Sequence, residues 1–241
     1  MKLAVILLFV TVCSSMLHAQ AEQQPKNRNI GTVYKSSDIP GWWLPGEADL
    51  RNYEVYLDDT VRRNGQKSVS LKTRTLNSAS PKFTLLIQQV LLANYQNRRV
   101  RFSAFIKSHL AGRANLFLRM DGNKMVIVNQ DNMENRLISG TTDWAAYEIV
   151  LDVPAGSQQL VMGVRLAGGG QIWVDDATFD IVGQDVLVTG KNTPSEIQAG
   201  SSVFIEKYRQ SQPAAYEKQL QHFFGRNETL PNFPVNLDFE N

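Results

Sequence analysis

Residues 99–182 hold a succession of short apolar runs with two-residue alternation, each closed by Gly, Asp, Asn or Pro. Over 100–107, Phe102, Ala104 and Ile106 alternate with Arg101, Ser103, Phe105 and Lys107; over 116–121, Leu116, Leu118 and Met120 alternate with Phe117, Arg119 and Asp121. Such a period of two puts one set of side chains on each face of a strand. Further runs at 125–128, 146–151, 159–166 and 171–179 follow, separated by Asp131-Asn132, Gly140, Pro154-Ala155-Gly156 and Gly168-Gly169-Gly170. Parallel strands need a crossover of about a dozen residues or more, and these spacings are too short for one. The pattern therefore predicts a mainly β chain, an antiparallel two-sheet sandwich.

The flanking regions extend that reading. Tyr53-Glu54-Val55-Tyr56-Leu57 and Ser68-Val69-Ser70-Leu71-Lys72 read as a strand pair joined by a connection containing Asn64-Gly65. Over 83–90, Phe83, Leu85 and Ile87 alternate against Thr84, Leu86 and Gln88, which gives a total of eight or nine strands. Ile39-Pro40-Gly41-Trp42-Trp43-Leu44-Pro45-Gly46 reads as an ordered loop, with one of the tryptophans plugging the core. After residue 183 the pattern changes. Residues 184–200 read as a linker and 201–225 as two amphipathic helices, the first capped by Ser201 or Ser202 and the second opened by Gln212-Pro213. Residues 226–241 read as an extended tail.

The amino terminus has the form of a secretory signal over 1–21: Lys2, an apolar core over 3–12, and Ala19-Gln20-Ala21 as the cleavage site. That predicts an exported protein, periplasmic or extracellular, with no membrane span in the mature chain and a sandwich domain over 28–183. Cys13 is the single cysteine and lies in the signal, so no disulfide can brace the mature fold. The mature charge is 24 Lys and Arg minus 23 Asp and Glu, or +1, once Lys2 is removed from the 25 basic residues. So balanced a chain offers no field for nucleic acid or an anionic membrane.

Catalytic constellations are sparse. Of three histidines, His18 leaves with the signal, and His109 and His222 remain without a Gly-x-Ser-x-Gly elbow, a His-Glu-x-x-His pair or a phosphate loop. A glycosidase could employ two carboxylates such as Asp121 and Asp143, but their separation is not readable from sequence. The expectation is a non-enzymatic protein, with no catalytic residues. Asn227-Glu228-Thr229 matches a glycosylation sequon.

A binding surface is the better-supplied alternative. Sugar recognition requires flat rings against C–H faces, with charged or amide groups nearby to hold hydroxyls. The polar parity offers Arg101, Phe117, Arg119, Asp121, Arg165, Gln171 and Trp173, which share a face if their strands share a sheet; Trp42 and Trp43 could fringe it from their loop. The competing reading makes these Arg–Asp salt bridges, with Trp173 as packing.

Gln88-Gln89-Val90 with Tyr95, residues 98–103 and 118–122, Asp131-Asn132-Met133, Gly140-Thr141-Thr142-Asp143-Trp144 and Val174-Asp175-Asp176 together resemble the galactose-binding-like jelly-roll domain. This module is akin to carbohydrate-binding modules and is found ahead of catalytic domains in secreted bacterial hydrolases such as erythromycin-esterase-like and tail-specific-protease-like proteins. The resemblance covers residues 40–183 and no large catalytic domain follows it, so no hydrolase activity is carried over. It implies a jelly-roll sandwich with a C-terminal helical extension, and a carbohydrate or similar polar ligand. Trp173, Arg119, Arg165, Asp121, Gln171, Trp42 and Trp43 are the candidate ligand-binding residues. No cofactor is expected beyond a structural calcium, for which Asp175 and Asp176 are candidate ligands, with Asp58, Asp59, Asp180 or Glu240 able to contribute oxygens. Such modules open with an Asn-Leu-Asp-Phe-Glu strand; here that sequence stands at 236–240, as if the tail returned to fill the vacant strand position. The alternative function is an interaction module that docks on an envelope protein through the C-terminal helices.

Overall fold

The computed structural model describes residues 39–45, 48–74, 83–225 and 229–241, without the side chains of 222–224. The expected signal, the polar lead-in and the Asn227 sequon lie outside the described residues. Eight strands form in the order β1 (Tyr53–Asp58), β2 (Ser68–Thr73), β3 (Phe83–Leu91), β4 (Arg99–Asp121), β5 (Ile127–Asp131), β6 (Ile138–Asp152), β7 (Gln159–Ala167) and β8 (Gln171–Val182). Every pairing between them is antiparallel.

The two expected runs at 100–107 and 116–121 are one strand. β4 is 23 residues long and belongs to both layers of the sandwich. Its first half pairs with β8 and β6, and its second half with β7 and β5. Between the halves Leu110 takes φ +49°, and the register against β6 slips there. The neighbouring turn makes room: a Cβ on Gly170, itself at φ +93°, would stand 2.2 Å from the Leu110 carbonyl oxygen. Only glycine fits beside such a corner. The continuous hydrogen-bonded sheet thus folds back as a first leaf, β1-β2-β8-β4-β6, and a second leaf, β3-β7-β4-β5.

One apolar core fills the space between the leaves. Val55, Val69, Leu71, Phe102, Ile106 and Val174 from the first leaf meet Leu86, Leu116, Leu118, Met120, Met162 and Val164 from the second. Burial of each such side chain stabilises the fold by about 1.5–3 kcal/mol. Trp42 joins this core at 3% exposure.

The carboxyl tail returns, as expected, but as turns and not as a strand. Phe239 enters the core with its ring 5.2 Å from that of Trp42. Ala177 N–H donates to Leu237 O at 3.1 Å, and Leu91 N–H to Pro231 O at 2.9 Å. Strand pairing is replaced by an amide side chain: buried Gln88 donates through Nε2 to Val235 O (2.8 Å) and accepts Val235 N–H on Oε1 (2.7 Å). Proline at 231 and 234 accounts for the choice, since proline lacks the N–H that a ladder consumes.

The first helix starts earlier than expected, so residues 194–200 are helical and not linker. Helix α1 (Pro194–Ser211) is capped by Thr193, not Ser201 or Ser202. Thr193 and Glu196 form a reciprocal capping box with Pro194 in the first turn, a signature legible as Thr-Pro-Ser-Glu. Ile197, Ser201, Ile205 and Tyr208 then recur on one buried face. Ser201 Oγ accepts Ile127 N–H at 2.8 Å, which ties α1 to β5. Helix α2 (Pro213–Phe224) adds Tyr216, 2% exposed and edge-on to Tyr208. The mainly β antiparallel sandwich with a C-terminal helical extension is therefore the fold of this chain.

Candidate functional site

The apolar parity of β3 does not face the core. Thr84, Leu86, Gln88 and Val90 point inward, at 0–1% exposure. Phe83, Leu85 and Ile87 point to the far side of the second leaf, where with Phe117, Val161 and Trp43 they form an apolar cluster separate from the core. Trp43 reaches it as a one-residue extension of the leaf, exchanging backbone hydrogen bonds with Ile87 at 2.9 and 3.0 Å.

Strand register lays this outer face out as rows. Ile87, Gly163 and Phe117 make the middle row. A Cβ on Gly163 would approach the Phe117 ring to 2.9 Å and the Leu86 carbonyl oxygen to 2.2 Å, so the glycine lets the ring lie across β7. On one side stand Leu85, Arg165 and Asn115, then Phe83 and Arg113. On the other stand Gln89, Val161, Arg119 and Gln130, then Gln159 and Asp121. An apolar middle is thus flanked by polar groups at both ends.

These polar groups are ordered by one another. Arg119 donates to Asp121 through Nε (3.1 Å) and Nη2 (3.0 Å), both side chains being largely buried. Burial pushes the Asp121 carboxyl above its usual range, and Arg119 opposes that rise. Gln89 Nε2 donates to Gln159 Oε1. Arg165 lies over the Phe83 ring, 4.3 Å from its centroid. Two buried atoms on this face lack a hydrogen-bond partner among the described residues: Arg165 Nε and Gln130 Oε1. Burying a polar atom without a partner costs about 1–3 kcal/mol, so such atoms call for an explanation.

Of the residues expected to form one site, Arg119, Arg165, Asp121, Phe117 and Trp43 come together here. Trp173 and Gln171 do not. They lie on the outer face of the first leaf, because the sheet that carries them folds back through β4. There Trp173 Nε1–H donates to Asp58 Oδ2 at 2.8 Å, and Gln171 Nε2 donates to Ser70 Oγ (2.9 Å) and Tyr56 Oη (3.1 Å). At 9% exposure each, both are packing residues of a closed network. Arg101 lies on that leaf too, 3.5 Å from Asp180. Trp42 is a core residue whose Nε1–H donates to Asn236 O at 2.9 Å.

The expected calcium ligands have another role. A bulge between β4 and β8, with Asp176 at φ +47°, turns both acids toward the loop over 59–67. Asp175 Oδ2 accepts N–H from Arg63 (2.7 Å) and Asn64 (3.2 Å), and Asp176 pairs with the Arg63 guanidinium. Glu240 Oε1 accepts N–H from Gln66 (2.7 Å) and Lys67 (3.1 Å) on the same loop. Asp58 Oδ1 takes Thr60 and Val61 N–H. Donor hydrogens and a guanidinium already meet these oxygens, the reverse of what a hard cation requires, so the residues present do not fit calcium. Among the described residues no three His, Cys, Asp or Glu side chains converge on a metal position.

Asp121 and Asp143 are no catalytic pair either. Asp143 is on β6, bonded to Lys107 Nζ at 2.6 Å on the first leaf, while Asp121 faces outward from the second. The apolar stripe of the helices, Ile205, Tyr208 and Tyr216, is buried against Met125 and leaves no open face for docking there. No helix among the described residues is long and apolar enough to cross a membrane. Phe83, Leu85, Ile87, Gln89, Gln159, Gln130, Asn115, Gly163 and Arg113 went unrecognised in the sequence. Their signal was the strand period itself, which identifies two faces without saying which is inside.

No family model matches the chain. An uncharacterized HTH-type transcriptional regulator of Bacillus subtilis, YbfP, is 34% identical over 165 residues, which are 68% of this chain and 55% of the regulator. The chain thus spans about half of that relative's length. Among solved structures, the enzymatically active domain of bacteriophage CBA120 tailspike protein 4 superposes with TM-score 0.48 at 15% identity, over 60% of this chain and 20% of that one. The C-terminal family 22 carbohydrate-binding module of Clostridium thermocellum Xyn10B gives 0.45 at 13% identity, over 68% and 100%. TmCBM61 in complex with β-1,4-galactotriose gives 0.43 at 13% identity, over 65% and 100%. These TM-scores lie below 0.5, so the fold assignment rests on the strand pairing and the common core.

Proposed function

We propose that this protein is an exported, non-catalytic β-sandwich that binds a carbohydrate or similar polar ligand on the outer face of its second leaf. The observation that carries the reading is the pair of unpartnered buried atoms, Arg165 Nε and Gln130 Oε1, at the two ends of an apolar patch outside the core. A donor and an acceptor flanking a strip of aromatic surface is the provision that a hydroxylated ring with an apolar face would complete. Trp43 and Phe83 at the rim supply stacking surface; Arg119–Asp121 and Gln89–Gln159 supply groups whose mutual hydrogen bonds hold them in place. Buried helix stripes and a net charge of +2 give no support to nucleic-acid binding.

The test is a glycan microarray with the full chain and two variants, Trp43→Ala and Arg119→Ala. The reading expects a defined set of glycans bound by the wild type and signal reduced at least about tenfold in each variant, as loss of a stacking ring or a charged hydrogen bond entails. A blank array, or signals indifferent to both substitutions, would remove it.

A further inference from the structure

The cationic end of this face narrows the ligand class. Arg113 and Arg165 belong to neighbouring strands, with Arg113 opposite Ala167 and Arg165 opposite Asn115. Their charges are close enough to repel: burial, joined by Arg113, holds the Arg165 guanidinium below the usual arginine range. Two like charges side by side in a partly buried place are unfavourable unless something negative lies between them. The protein does not provide it. Among the described residues neither arginine forms an ion pair with a carboxylate, whereas Arg63, Arg74, Arg99, Arg101, Arg119, Arg136 and Arg209 all do. Glu134 acts on Arg165 only through its field, and its own carboxylate accepts Asn132 Nδ2–H at 2.9 Å. At the far end of the patch the balance differs, since Arg119 is neutralised by Asp121.

Resting on the reading above, we propose that the ligand is an acidic saccharide, a uronate-containing chain. One sugar carboxylate lies between Arg113 and Arg165, and a neighbouring ring lies along Phe83, Trp43 and the Ile87–Phe117 strip. Arginine suits that role because its planar fork meets a carboxylate with two parallel hydrogen bonds while its face stacks on an aromatic ring. Arg165 over Phe83 already has the stacked half of this arrangement, with Nε left to donate.

The experiment is calorimetric titration of the full chain with tetragalacturonic acid and with its fully methyl-esterified form, which keeps the backbone and removes the charge. The acid should bind at least about tenfold more tightly than the ester, and added salt should weaken only the acid. Arg165→Gln should abolish the discrimination. Arg113→Gln, a change at an exposed position that folding tolerates, should lower affinity for the acid several-fold and leave the ester unaffected. Equal affinity for acid and ester would overturn the assignment of an acidic ligand while leaving a neutral-saccharide site standing. Binding of neither would overturn it too, and the microarray would then decide the broader reading separately.

Discussion

Trp173 and Trp43 were indistinguishable as candidates, yet they have opposite roles, and the difference is a matter of partners. Trp173 spends its indole N–H on Asp58 and its ring on the first leaf; Trp43 stands at the rim of a patch with unmet donors and acceptors. Trp173→Phe should therefore cost about 1–3 kcal/mol in denaturant unfolding, the penalty for leaving Asp58 Oδ2 without its donor, and should not change glycan binding. A binding loss with unchanged stability would reverse the two roles. At Gly163 the expectation is also specific. Gly163→Ala should destabilise the fold and disturb the patch together, because its Cβ would meet the Leu86 carbonyl oxygen as well as the movable Phe117 ring. A variant with wild-type melting temperature and wild-type binding would refute that account of the glycine.

At the scale of elements, the tail is as much a part of the sandwich as any strand. Phe239→Ala should cost about 3–5 kcal/mol, as large-to-small changes in a core do. Unfolding at wild-type denaturant concentration would show that the tail is dispensable. The clasp on the 59–67 loop adds a pH signature. Gln66 and Lys67 N–H groups hold the Glu240 carboxyl below its usual 4.5. A lowered folded-state pKa stabilises above the unfolded value, and that stabilisation is lost as pH falls through the folded one. The melting-temperature gap between wild type and Glu240→Gln should be open at neutral pH and close on acidification below about 4.5; a gap that stays constant would contradict the clasp. Most strands were legible because alternation and turn residues are local signals. The continuity of β4 was not, since its corner depends on the Gly168–Gly170 turn packed beside Leu110. Nor was the inward face of β3. Both parities there contain apolar residues, and Gln88 points inward because Val235, far along the chain, satisfies it.

For the whole molecule, the fold-back of a single sheet explains why five of the expected site residues converge and two do not. Residues that share a hydrogen-bonded sheet share a face only while the sheet stays open. Once β4 turns the corner, Arg119 and Trp173 face opposite sides of the sandwich, and one of those sides is closed by its own side chains and the 59–67 loop. The helices close a third surface over β5. What is left is the outer face of the second leaf, where binding is assigned. The most direct test is glycan-microarray binding by wild type, Arg119→Ala and Trp173→Ala in parallel. The account predicts signal lost in Arg119→Ala and kept in Trp173→Ala; signal kept in Arg119→Ala and lost in a folded Trp173→Ala would place the site on the other leaf and contradict it.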